Sequence, residues 1–101
     1  MDCFSAYIEW INAEGGGRKT IPQQGMRYSP LIRLKKNGKM EEWSIDFICP
    51  DFSQSNIISF HFLADGAPDY LIQIGNRYEI FEGSKKVAEI KILKSRTTAT
   101  K

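Results

Sequence analysis

Glu41-Glu42-Trp43-Ser44-Ile45-Asp46-Phe47-Ile48-Cys49 is the stretch whose pattern decides the fold. Trp43, Ile45, Phe47 and Cys49 fall on one face, and Ser44 and Asp46 on the other. A period of two marks a half-buried strand, because successive side chains leave a strand on opposite sides. Pro50 ends it. Upstream, Lys35 to Lys39 (KKNGK) contains Asn-Gly, a strong signal for a tight hairpin turn. The segment before that turn, Arg27 to Leu34, is therefore read as the partner strand. It contains Pro30, which cannot donate to a sheet ladder, so this strand is expected on an edge or with a bulge.

The same period recurs further out. Phe4 to Ile11 places Phe4, Ala6, Ile8 and Trp10 on one face. Ile57 to Leu63 turns Ile58, Phe60 and Phe62 inward and Ser59 and His61 outward. Arg77 to Glu82 is a strand, Gly83-Ser84 its turn, and Lys86 to Leu93 the return. Asp51 to Asn56 reads as a loop and Asp65 to Asp69 as a turn. Tyr70 to Ile74 is expected as a short extended piece closed by Gly75-Asn76. No window carries a helical stripe. Six or seven short strands between turn signals predict an all-β fold, a small closed antiparallel β-barrel of about six strands. Closure removes the sheet edges that a small domain would otherwise expose.

The chain has 101 residues, enough for one domain. A domain of this size buries roughly two-thirds of its unfolded surface. The barrel is expected to occupy residues 1–95, with 96–101 as a frayed tail lacking apolar periodicity. Net charge is +2, too small to imply a nucleic-acid partner by itself. Its distribution is uneven, with seven basic residues and no acidic one from Arg18 to Lys39. Cys3 and Cys49 lie in apolar segments and match no metal spacing. They are read as reduced thiols of a cytoplasmic protein, with a disulfide as the alternative. The N-terminus has no apolar run of signal-peptide type, and no segment reaches the length needed to cross a bilayer.

Residues able to carry chemistry are few. His61 is the single histidine. Ser59 is its neighbour on one strand face and Asp65 is near in sequence, but one strand does not supply the convergence a catalytic triad needs. One histidine and two separated cysteines make no zinc site. Gly15 to Gly17 lead into Arg-Lys-Thr and a proline turn rather than a helix N-terminus, so no nucleotide is expected. The sequence thus predicts no enzyme and no cofactor. Arg18, Lys19, Lys35, Lys36 and Lys39, with Lys85 and Lys86, form a candidate basic patch. Tyr7 and Tyr28 are candidate stacking surfaces for single-stranded nucleic acid. The alternative is a set of solvated turn lysines.

Two motifs carry a resemblance. Gly17, Arg18, Thr20 and Pro22, followed by Gly25 and Arg27, resemble the turn and strand entry of the C-terminal β-barrel domain of elongation factor Tu and its eukaryotic relatives. Ile21 intervenes before the proline, and Ser29-Pro30 replaces the expected proline position. Ile74 to Gly83 is similar to that family's second motif, which runs into a Glu-Gly hairpin, and Lys85 to Ala88 to the opening of its last strand. The resemblance implies a closed antiparallel barrel of six or so strands, here as a stand-alone domain without the GTPase domain and second barrel. In the family this domain helps hold the transfer RNA stem and contacts protein partners. Two functions are therefore expected: a non-catalytic module that binds a protein partner, or an RNA-binding module linked to translation. The RNA-contacting candidates are Arg18, Lys19, Lys85 and Lys86, as phosphate contacts.

Overall fold

A computed structural model describes residues 2–12, 14, 16–17 and 20–97. Seven strands follow in chain order: β1 (Asp2–Trp10), β2 (Arg27–Tyr28), β3 (Leu31–Lys36), β4 (Lys39–Ile48), β5 (Ile57–Phe62), β6 (Arg77–Glu82) and β7 (Lys85–Thr97). Six of them close a ring in the order β1-β5-β4-β3-β6-β7, all antiparallel, and β2 lies outside it against β4. The closed six-strand barrel expected from the sequence is the one observed.

The alternating positions fill its interior. Phe4, Ala6 and Ile8 of β1, Ile45 and Phe47 of β4, Ile58, Phe60 and Phe62 of β5, and Ile90 and Ile92 of β7 are all buried. Full burial of such a side chain stabilises the fold by about 1.5–3 kcal/mol. Phe4 packs on Phe60 and Phe62 with ring centroids 5.3 and 6.4 Å apart. At the far end of β1, Trp10 meets Tyr28 and Phe52, and Tyr28 meets Phe47.

Asn37 and Gly38 both have positive φ, 52° and 80°, and join Lys36 to Lys39. That is the two-residue turn whose twist matches a hairpin. Pro30 meets the expectation in part. After Ser29 it follows β2, an edge strand paired with β4 alone among the described residues, and it makes no bulge. Arg27↔Ile48, Tyr28↔Phe47 and Leu31↔Ser44 keep one register across it. Its carbonyl accepts from the Ile45 N–H at 3.0 Å, but it returns no hydrogen bond, so one strand is interrupted into β2 and β3.

Two further expectations are corrected. Tyr70 lies in a single 3-10 turn, Asp69–Leu71, where the Ile72 N–H donates to the Asp69 carbonyl at 3.0 Å. Pro68 opens this turn, and the piece is too short for alternation to identify its backbone. The strand after Ser84 does not fray at residue 95: Cys3↔Arg96 and Asp2↔Thr97 continue the ladder. Ser95 and Arg96 are exposed, so pairing with β1 rather than burial holds this end, and apolar periodicity gives no sign of it.

The glycine loop after β1 is pinned by a close approach. Gly17 is buried, its N–H donates to the Asn12 carbonyl at 2.8 Å, and a Cβ there would lie 1.8 Å from the Ile11 carbonyl oxygen. Backbone cannot yield as a side-chain tip can. Gly17→Ala is therefore expected to lower stability by about 2–4 kcal/mol, measured by urea unfolding. A loss below about 0.5 kcal/mol would contradict this packing.

Candidate binding site

Of the four expected RNA contacts, Arg18 and Lys19 lie outside the described residues. Lys85 is exposed at the start of β7. Lys86 beside it is engaged, with its Nζ 2.7 Å from Glu89 and 2.9 Å from Glu79. The hydrogen bonds that Lys86 donates to Glu89 and Glu79 raise its pKa, and the Lys86 ammonium holds the Glu89 carboxyl below the usual carboxylate range. A phosphate at Lys86 would have to displace both carboxylates. Lys35, Lys36 and Lys39 sit at the opposite end of β3, because Leu31↔Phe81 brings the β6–β7 turn beside the start of that strand. Five residues of strand, roughly 17 Å, separate the two turns. Tyr28 is half-buried, and its hydroxyl donates to Glu82. Of the two proposed stacking tyrosines, Tyr7 alone is exposed.

The structure brings another group together on the outer face of β5, β1 and β7. Tyr7 pairs with Ile57 across β1 and β5, and both are exposed, at 41% and 44%. Next along the strands, Ser5 pairs with Ser59 on one side and Lys94 on the other, and Cys3 pairs with Arg96. The register of β7 shifts between Ser5 and Ala6, with Leu93 as the extra residue. Such a bulge re-aims side chains: Lys94, Ser95 and Arg96 are all exposed in succession. Together with Cys3, Ser5 and Ser59 they line a notch of about 220 Å³. Lys91, Lys94 and Arg96 make no ion pair among the described residues. By contrast, the other half of this face is neutralised: Arg77 meets Glu9 at 2.9 Å, and Lys86 meets Glu79 and Glu89. Lys94 and Arg96 were hidden in the sequence by the bulge. The signal available was the cation-rich run Lys91-Ile92-Leu93-Lys94-Ser95-Arg96.

His61 lies next to Asp46, not Asp65. Asp46 is 6% exposed, and its Oδ1 accepts from Arg27 Nε and Ser29 Oγ, each at 2.7 Å. His61 Nε2 stands 3.7 Å from its Oδ2. Burial pushes the Asp46 carboxyl up, but the hydrogen bonds from Arg27 and Ser29 and the Arg27 charge outweigh it and hold the carboxyl below its ordinary value. The Ser29 hydroxyl is spent on the carboxylate. This is a bracing network across three strands.

Cys3 is half-buried and Cys49 buried, and no disulfide joins them. Among the described residues no three His, Cys, Asp or Glu side chains group as a metal site, and no helix is long and apolar enough to cross a membrane. The chain matches no protein-family model and no curated protein.

The Asp46 network sets a pH dependence. A carboxyl held low in the folded state contributes stability fully above its unfolded pKa of about 3.9, and that contribution is lost as pH falls through the folded value. Asp46→Asn is expected to cost about 1–3 kcal/mol near pH 7, with the gap to the wild-type protein closing below about pH 4. Urea unfolding across pH checks it, and a gap independent of pH would refute the role of the charge.

Proposed function

We propose that this protein is a non-catalytic binding module that docks an acidic segment of a protein partner on the outer face of β5, β1 and β7. The observation that carries the reading is the exposed Tyr7–Ile57 pair bordered by Lys91, Lys94 and Arg96, cations with no ion pair among the described residues. An apolar centre with a polar, charged rim is the usual anatomy of a protein interface. The aromatic ring and isoleucine gain from leaving water. The cations steer an acidic segment and fix its direction. The non-catalytic part of the reading is supported by the single histidine, which lies against the bracing carboxylate of Asp46. A cytoplasmic setting is proposed on the two cysteines held as thiols. The reading rests on this face and not on the resemblance to elongation factor Tu, because a fold does not carry a function with it.

RNA is the second reading, favoured by the same three cations and by Tyr7 beside Lys91. Its weakness is the length of the basic track. Beyond Lys91 the face runs into Glu9, Glu89 and Glu79, which repel a continuing phosphate backbone.

Affinity capture from the source cells with the wild-type protein and with a Tyr7→Ser, Ile57→Ser variant separates these readings. One dominant protein is expected with the wild type, reduced at least tenfold with the variant. Transfer RNA and an unstructured RNA are expected to bind more weakly than about 10⁻⁶ M at physiological salt, the non-specific range. Capture indifferent to the variant would overturn the docking face. Tighter RNA binding, with a salt slope flattened by Lys94→Ala and Arg96→Ala, would establish the RNA reading instead.

A further inference from the structure

We infer that the notch between β5, β1 and β7 receives a single phosphate monoester, the phosphorylated serine or threonine of the docked partner segment. The inference rests on the docking reading above and names what that face recognises.

Ser59, Ser5 and Lys94 lie side by side across three strands, in a row one residue wide. Directly opposed residues on a sheet face hold their Cβ atoms about 4.5–5.5 Å apart, a spacing that lets three side chains reach one small anion. Cys3 and Arg96 form the next row; Ser95, which pairs with the buried Phe4, is itself exposed and borders the same notch. The result is a concavity of about 220 Å³ lined by Ser5, Ser59, Ser95, Lys94, Arg96 and Cys3, with no carboxylate side chain lining it among the described residues. Asp2, one residue before Cys3, belongs to the opposite side of the strand alternation, and His61 is turned towards Asp46.

A phosphate monoester matches this donor set. It carries roughly −1.5 to −2 charge at pH 7 and three strong acceptor oxygens. Serine hydroxyls donate singly, while Lys94 and Arg96 supply charge-assisted bonds, the guanidinium in a fork suited to two oxygens. A carboxylate brings one charge and two oxygens, and leaves part of the donor set unused. A polymer backbone fits less well still. It gains affinity by neutralising many phosphates in succession, and here the basic surface stops at Glu9 and Glu89. The Tyr7–Ile57 pair adjoins the notch through Ser5 and Ser59 on the same two strands, so it meets the residues flanking the phosphate.

The test uses the whole protein and a fluorescent peptide pool of mixed sequence with a fixed central phosphoserine. The same pool is also used unphosphorylated and with glutamate at that position, and an unstructured RNA serves as the polyanion arm. The phosphorylated pool is expected to bind at least tenfold tighter than either of the others. Lys94→Ala with Arg96→Ala should abolish that preference while leaving the thermal midpoint unchanged. Free inorganic phosphate should compete, and amide NMR shifts on its addition should centre on Ser5, Ser59 and Ser95. Equal affinity for the three pools, a preference that survives the double substitution, or RNA binding tighter than the phosphorylated pool at the same salt would each overturn the inference. If the preference fails while Tyr7→Ser, Ile57→Ser still abolishes partner capture, the phosphate site falls and the docking face stands. If both fail, the docking reading falls with it.

Discussion

The ring closes on two residue pairs, Ile45↔Phe62 and Asp46↔His61, and the barrel depends on that seam. Every other junction in the ring is longer. β4 makes closure possible by serving both edges: β3 and β2 share one in a single register, and β5 takes the other. Asp46 sits at this junction and grips both sides, Arg27 and Ser29 from the β2 side and His61 from β5. A buried carboxylate is costly unless its oxygens are satisfied. Here those bonds brace the shortest seam, and the cost of burial is offset where the ladder is thinnest.

Closure also demands irregularity, since strands must bend to meet. Two bulges supply it, with different consequences. The shift at Ile80/Phe81 sends both Val87 and Ala88 into the core and leaves Phe81 on the outer side, where the Arg33 guanidinium covers it 3.9 Å from the ring centroid. The shift at Ser5/Ala6 follows Ile92, the last buried residue of β7 among those described, and leaves Leu93 exposed. Beyond it Lys94 and Arg96 stand on the outer face and, with Ser95, border a notch. The proposed binding face is thus a product of the geometry that closes the barrel.

Most of the architecture was legible because the interior enforces a period of two. Phe4-Ala6-Ile8, Ile45-Phe47-Cys49 and Ile58-Phe60-Phe62 are buried as their alternation requires, and Asn37-Gly38 marks its own turn. What alternation cannot see is a ladder without burial. The pairing of Arg96 and Thr97 with β1 rests on backbone hydrogen bonds to a distant strand, and the short 3-10 turn at Asp69–Leu71 carries too few residues to show a period. The site was less legible than the fold. Lysine content drew attention to Lys85 and Lys86, but availability is a property of neighbours. Lys86 is consumed by Glu79 and Glu89, while Lys94 and Arg96, read as a strand end and a tail, remain available at the notch.

The proposed partner meets the β5–β1–β7 face and not the hairpin ends where lysines cluster in the sequence. Site-specific photo-crosslinking in the source cells tests this directly, with a photoreactive phenylalanine derivative in place of Tyr7 or, at the β3–β4 hairpin, of the exposed Met40. A discrete crosslinked protein adduct is expected from position 7, lost on Lys94→Ala with Arg96→Ala, and none from position 40. An adduct from position 40 with none from position 7 would contradict that placement.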